Sequence, residues 1–171
     1  AKKMFPNARI VADKFHVLRL PTPAIMKEGR SIHGHRQELT TRRKLLRSRK
    51  KLDYFERCDI DRYLTQHPGL NELYRAKEKL FEFYRTRGLG KACRALNKLI
   101  EEYKNASHEA VRKLGRTLRT WREEILLYFE KRYTNAFTEA MNNLGKLVQK
   151  RGFGYKSFEN YRLRVLSARL F

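Results

Sequence analysis

Cysteine is nearly absent: the 171 residues hold two, Cys58 and Cys93. They form no C-x-x-C pair and no ligand spacing with histidine. A disulfide framework and a zinc site are therefore not indicated, and both read as reduced packing residues. The five histidines are scattered; His33 and His35 stand two apart, on different faces of any helix. Long apolar runs are also missing. None approaches the ~20 residues that span a bilayer, and the N-terminus has no apolar signal core. The chain reads as cytosolic, with no membrane partner. Acid is the third scarcity: 18 Asp and Glu stand against 40 Lys and Arg, a net charge of +22. Such a field attracts polyanions, nucleic acid first and an anionic membrane surface second. No internal repeat and no low-complexity segment is present.

What is present fits one domain, or one domain with a large insertion. The hydrophobic share of 41% supports a core. Phe5-Pro6-Asn7 reads as a turn. Residues 8–13 then read as a short strand ending in Asp13, or Asp13 caps the helix that follows it. Pro21 and Pro23 interrupt that helix, since proline removes a donor and clashes with the preceding turn. Residues 31–51 are strongly basic, with only Glu38 opposing the cations. Arg42, Arg43, Lys44 and Arg47 are candidate phosphate contacts. Locally, residues 44–47 fit either a strand or a piece of helix.

From 52 to 132 the pattern is helical. A helix over 53–65 is broken at His67-Pro68-Gly69. A second carries Leu70, Leu73, Tyr74, Leu80, Phe81 and Tyr84 and stops near Gly88 and Gly90. A third runs from Leu89 to near Asn105. Ser107 can cap a fourth, whose apolar seam (Val111, Leu114, Leu118, Trp121, Ile125, Tyr128) suits bundle or coiled-coil packing. The aromatics follow the helical period, so they read as core rather than as a base-stacking platform.

Thr134 or Asn135 can cap a helix over 136–151. Ala136, Ala140, Leu144, Leu147 and Val148 make its apolar face. Beside that face Glu139, Asn142, Asn143, Lys146 and Lys150 point in nearly one direction. One acid followed by amides and cations suits a metal and then a phosphate chain; it also suits a solvated surface. Gly152-Phe153-Gly154 marks a turn, and Ser157 can cap a last helix with Phe158, Tyr161, Leu163, Val165 and Leu166.

The two ends together resemble a known family. Ile10-Val11-Ala12-Asp13-Lys14-Phe15-His16-Val17 is similar to the "hydrophobic strand, Asp, x, Phe-His-Val" motif of bacterial insertion-sequence transposases of the ISL-three family. Residues 134–162, with Glu139-Ala140-Met141-Asn142-Asn143, Lys146 and Lys150-Arg151-Gly152-Phe153-Gly154-Tyr155, resemble that family's second signature. The resemblance covers nearly the whole chain. These enzymes are DDE transposases, with two Asp and one Glu on an RNase H-like fold.

The resemblance implies a mainly α chain: a partial RNase H-like α/β core with one or two short strands, carrying a large all-helical insertion. Residues 1–51 and 133–171 would belong to the core and 52–132 to the insertion, with residues 44–47 as a core strand. Asp13 would be the second catalytic acid and Glu139 the third. Both would ligate a pair of divalent cations, Mg2+ or Mn2+, about 4 Å apart over the scissile phosphate. Lys146, Lys150 and Arg151 would contact DNA phosphates, and Asn142 and Asn143 would position sugar or phosphate. DNA, as transposon end and target, would be the partner, with a homo-oligomer in the active complex. The family's first acid lies upstream of the Phe-Pro turn, and no acid precedes Asp13 here. The expectation is a C-terminal fragment without strand-transfer activity of its own. The competing expectations are a non-catalytic basic helical DNA-binding module and a helical oligomerisation module.

Overall fold

The computed structural model describes residues 9–33, 39–132 and 135–168. The turn expected at residues 5–7, the cap candidate Thr134, and Arg36, Glu38 and His35 of the basic segment lie outside the described residues. The chain forms two compact units, Ala1–Arg132 and Tyr133–Phe171.

The described residues of the first unit are helical. Its helices are α1 (Lys14–Arg19), α2 (Thr22–His33), α3 (Leu39–Leu46), α4 (Tyr54–Thr65), α5 (Pro68–Phe83), α6 (Leu89–Lys104), α7 (Glu109–Thr120) and α8 (Arg122–Lys131), with one 3-10 turn at Arg49–Lys51. Local chemistry sets several boundaries. Asp53 and Glu56 form a reciprocal capping box at the start of α4, with Glu56 N–H donating to Asp53 Oδ1 at 2.8 Å and Asp53 N–H to Glu56 Oε2 at 3.2 Å. Pro68 opens α5, where its missing N–H costs nothing. Gly88, at φ 85°, turns the chain into α6. Pro21 ends the α1 segment, while Pro23 sits in the first turn of α2, where proline is tolerated.

The core is one cluster drawn mostly from α5, α6, α7 and α8, reached by Val17, Ile25, Leu45, Ile60 and Leu64 from the earlier helices. Phe83, Tyr84, Tyr128 and Phe129 form its aromatic centre, with ring centroids 4.9–5.6 Å apart. The aromatics of the helical region are thus mainly core, as their period implied. Tyr54 and Phe55, on α4, and Trp121 are the exposed exceptions.

Several expectations are corrected. The described residues contain no β-strand. Residues 9–13 run without regular structure, because Ala12 N–H is taken by the Glu124 carbonyl of α8 at 2.9 Å and Asp13 already caps α1. Residues 44–47 are not a strand either. Lys44, Leu45 and Leu46 close α3, and Arg47 N–H continues the helical pattern to the Arg43 carbonyl at 3.0 Å. The fourth expected helix is two, since the chain breaks at Trp121, which is 48% exposed instead of lying in the seam. His108, not Ser107, caps α7, its Nδ1 accepting from Ala110 N–H at 3.1 Å.

A buried ammonium fastens the basic segment to this bundle. Lys77, on α5, is 2% exposed. Its Nζ donates to the carbonyls of Leu45 and Arg47, each at 2.6 Å, and lies 2.9 Å from Glu78 Oε1 and 4.1 Å from the Tyr74 ring centroid. Burial pushes its pKa down, opposed by the hydrogen bond and charge of Glu78. Ion pairs dock the rest of that segment on α4: Lys44 with Asp59 at 2.8 Å, Arg47 with Glu56 at 3.2 Å, and Arg49 with Asp61 through two 2.6 Å bonds.

The second unit is a hairpin of α9 (Ala136–Arg151) and α10 (Phe158–Ala168). The two helices approach closely at Gly145, the buried residue of α9, where an added Cβ would stand 2.8 Å from the Tyr161 hydroxyl oxygen. The expected apolar face of α9 is only partly covered within this unit. Leu144 and Val148 are half-buried, while Ala136, Ala140 and Leu147 are exposed. Asn135 precedes α9 without a side-chain capping bond. Phe153, at φ 49°, and Gly154, at φ 96°, form the turn after the helix.

Three stability outcomes are expected. Gly115, on α7, lies against α6, where a Cβ would stand 2.9 Å from Tyr103 Cβ and 3.4 Å from Lys104 N. Tyr103 is buried and its hydroxyl donates to the Ala76 carbonyl, so it cannot retreat. Gly115→Ala should destabilise the first unit by about 1–2 kcal/mol in urea unfolding, overpacking outweighing the gain in helix propensity. Lys77→Met keeps the stem but strips the donor from two carbonyls. It should cost about 3 kcal/mol and speed amide exchange in α3 first; unchanged exchange there would refute the clamp.

The third outcome concerns acid. Asp59 is held below its ordinary value of 3.8 by the hydrogen bond from Lys44, and Asp61 by that from Arg49. Glu109 and Glu130 are held below 4.5 by the hydrogen bonds from Arg116 and Arg9, Arg112 adding to the first. A depressed folded pKa gives stability that is complete above the unfolded value and lost as pH falls through the folded one. The melting temperature should therefore drop below about pH 4, and a constant value from pH 5 to 2.5 would contradict these pairings.

Candidate functional site

The two predicted acids are each set at the beginning of a helix, for local reasons. Asp13 is the N-cap of α1. Its Oδ1 accepts Phe15 N–H at 2.8 Å, His16 N–H at 3.1 Å and lies 3.0 Å from His16 Nδ1. The side chain is 16% exposed, against 74% for His16. Two ties hold the approach: the Ala12–Glu124 backbone bond, and an Arg9–Glu130 ion pair at 2.7 Å onto α8. Asp13 and His16 also line a largely apolar cavity of about 280 Å3 with Val11, Leu20, Trp121 and Ile125. The α7–α8 break thus delivers Trp121 beside Asp13, which the sequence pattern had assigned to a buried seam.

Glu139 lies in the first turn of α9, exposed, its N–H bonded to the Asn135 carbonyl at 2.9 Å. Asn142, Asn143, Lys146 and Lys150 follow it along the helix, all exposed, and Arg151 ends it. Placing a carboxylate near a helix N-terminus and cations near the C-terminus also suits the helix dipole. Asp13 belongs to the first unit and Glu139 to the second.

The basic segment divides by partner. Arg42 and Arg43 are exposed on α3, whereas Lys44 and Arg47 are engaged with Asp59 and Glu56 of α4. The Lys44 pairing raises the pKa of that lysine chiefly through the hydrogen bond to Asp59. The sequence pattern missed three side chains here: His16 against Asp13, Lys77 beneath α3, and Trp121 at the cavity. Only the first left a signal, a histidine three residues past a capping acid.

Asp13 and Glu139 are hard oxygen donors, the type that suits Mg2+. Among the described residues no group of three or more His, Cys, Asp or Glu stands close enough to hold a metal ion. The donor chemistry fits a divalent cation, while among the described residues neither unit by itself assembles three such ligands. No described helix is long and apolar enough to cross a membrane.

Comparison with known proteins places the chain. A family model described as Transposase, of the ISL3 type, matches residues 1–165 and so includes both acids. The transposase for insertion sequence element IS1001 of Bordetella parapertussis is 24% identical over 172 residues, an alignment covering 95% of this chain and 42% of that protein. The chain thus spans less than half the length of that curated relative. No solved structure matches it. A family match over nearly the whole chain, reaching from the Asp13 cap through the helical bundle to α9, is sufficient: the chain belongs to the ISL3 family of transposases.

Proposed function

We propose that this chain is part of the catalytic region of a transposase that cleaves DNA at the ends of an insertion sequence and joins them to a target. The observation that carries this reading is the family match over residues 1–165, within which both motif acids stand at helix starts with cations downstream of Glu139. In this reading Asp13 and Glu139 are two acids of a DDE set on an RNase H-like core. Residues 1–51 and 133–171 belong to that core, and 52–132 form a helical insertion. The protein acts on DNA in the cytoplasm, as a homo-oligomer that brings two DNA ends together.

The roles of the side chains follow from their chemistry. Asp13 and Glu139 would hold Mg2+ or Mn2+, ionised as ligation requires. The cation pair, when bound, activates the attacking hydroxyl or water and stabilises the leaving oxygen. Asp13 is oriented by the two N–H groups at the start of α1 and by His16. Lys146, Lys150 and Arg151 neutralise DNA phosphates on the strand beside Glu139, and Asn142 and Asn143 bond sugar or phosphate oxygens. Arg42 and Arg43 add exposed charge.

One observation favours the plainer reading of a non-catalytic DNA-binding module: Asp13 Oδ1 already serves as a helix cap with three close nitrogen neighbours. Substitution separates the two. Asn caps as well as Asp, whereas Ala does not. Asp13→Asn should leave stability within about 0.5 kcal/mol, and Asp13→Ala should cost about 1 kcal/mol. In the complete gene product, Asp13→Asn and Glu139→Gln should each lower strand transfer by at least about a thousandfold, with DNA affinity within about threefold of the parent. Strand transfer that survives Asp13→Asn makes Asp13 a cap alone and leaves the binding-module reading.

A further inference from the structure

A cleft of about 620 Å3, whose lining does not include Asp13, opens in the first unit between α4, α5 and the 3-10 turn. Its wall runs along α5 from Asn71 to Glu82 at helical spacing, with Arg85 just past the helix end. The eleven steps from Asn71 to Glu82, at 1.5 Å each, give roughly 17 Å, the axial length of about five base pairs at 3.4 Å per step. The rim carries six cations (Arg49, Lys50, Arg57, Arg75, Lys79, Arg85) and three acids (Asp61, Glu78, Glu82). Two of the acids are already spent within the fold. Asp61 takes both guanidinium nitrogens of Arg49 at 2.6 Å. Glu78 accepts Arg49 N–H at 3.0 Å and the buried Lys77 ammonium.

Arg49 is held by Asp61 and Lys79 pairs with Glu102, while the other four cations keep donors to offer. Lys50 and Arg75 are exposed and carry no ion pair among the described residues. Arg57 uses Nε on the Leu52 carbonyl, and Arg85 uses one terminal nitrogen on Ser48 Oγ at 3.1 Å. Each guanidinium has five N–H donors, so the rest of the fork remains for an anion. The wall is rigid where it matters, since Lys77 and the Arg49–Asp61 pair fix the 3-10 turn against α5 and α4. Tyr74, the aromatic residue of the lining, is 3% exposed and stacked beneath the Lys77 ammonium, so it cannot serve as a platform for a base. An open, cation-rimmed groove without an accessible aromatic face suits the backbone of a nucleic acid, not its bases.

We propose that the α4–α5 cleft is a second DNA site, a groove that holds the phosphodiester backbone independently of sequence. It rests on the reading that the chain handles DNA, and adds a contact separate from the motif acids and the α9 cations.

The test is binding of the chain to a 20-base-pair duplex by fluorescence anisotropy across 50–300 mM salt. The cleft variant is Lys50→Ala with Arg75→Ala. The control is Lys113→Ala with Arg119→Ala, which removes the same charge from exposed positions on α7. All four side chains are exposed, and circular dichroism melting checks that the fold survives. The cleft variant should lower the slope of log affinity against log salt by about 1.8, at 0.9 per phosphate contact. At 0.1 M salt that is roughly a 60-fold loss, equal on unrelated sequences, while the control stays within about threefold of the parent. Equal losses in both variants would mean that net charge alone is at work. An unchanged cleft variant would place the DNA elsewhere, and a loss that varies with sequence would mean base readout. Each of these overturns the proposal while leaving the transposase reading intact. A parent chain that binds no duplex at 50 mM salt overturns both.

Discussion

The ammonium of Lys77 is the constraint on which the arrangement of the basic segment depends. A lysine with 2% exposure has lost its water and must be repaid by acceptors. It finds them in the Leu45 and Arg47 carbonyls and in Glu78. These carbonyls lie at the frayed end of a short helix, where the backbone lacks partners of its own. The demand is therefore mutual: α3 ends where it does because α5 supplies a donor, and the donor tolerates burial because α3 ends there. Once the chain is fixed at residue 47, the 3-10 turn must follow along α5. Arg49 then reaches Asp61, and the wall of the cleft is defined.

Charge in this molecule is divided by function as well as by number. Asp53, Glu56, Asp59, Asp61, Glu78, Glu109 and Glu130 cap helices or pair with neighbouring cations. Such surface pairs contribute little stability singly. Their greater effect is geometric, because they select which cations lie down against the fold. Lys44 and Arg49 are laid against the fold in this way. Arg42, Arg43, Lys146 and Lys150 remain exposed. The excess of +22 is thus borne by a subset of side chains whose positions the acids help to choose.

The helical bundle was legible in the sequence because its boundaries are made locally. Asp53 with Glu56, Pro68, Gly88 and Asn105 are read within a few residues, and they fix α4, α5 and α6. Asp13 as a cap was legible for the same reason. The departures have non-local causes. Residues 44–47 pattern equally as strand or helix, and the lysine that settles the matter is 30 residues away. The Val111–Tyr128 seam keeps its heptad spacing through Trp121, so periodicity could not reveal that the chain turns there. The residues before Asp13 have strand composition, yet the Ala12 N–H donates to the Glu124 carbonyl of α8. At the candidate site, Arg42 and Lys44 look alike in sequence. Only the return of α4 over α3 makes one an exposed cation and the other the partner of Asp59.

The two motif acids raise a general difficulty in reading function from position. Asp13 and Glu139 both occupy helix beginnings, where backbone N–H groups and the helix dipole favour a negative charge. That placement stabilises the helix whether or not a cation ever binds. For Asp13 it also fixes the direction of the carboxylate through two N–H bonds, and a metal ligand needs a fixed direction. What a helix cap asks of Asp13 and what a metal ligand would ask of it therefore coincide in position and direction. They differ in what each requires of the side chain. A cap requires a short acceptor and is indifferent to charge; a metal ligand requires the charge. At Glu139 the side chain is exposed and caps no helix among the described residues, so the helix dipole alone favours its charge there. Its position on α9, in the same surface row as Asn142, Asn143, Lys146 and Lys150, is thus explained less fully by helix stability than that of Asp13.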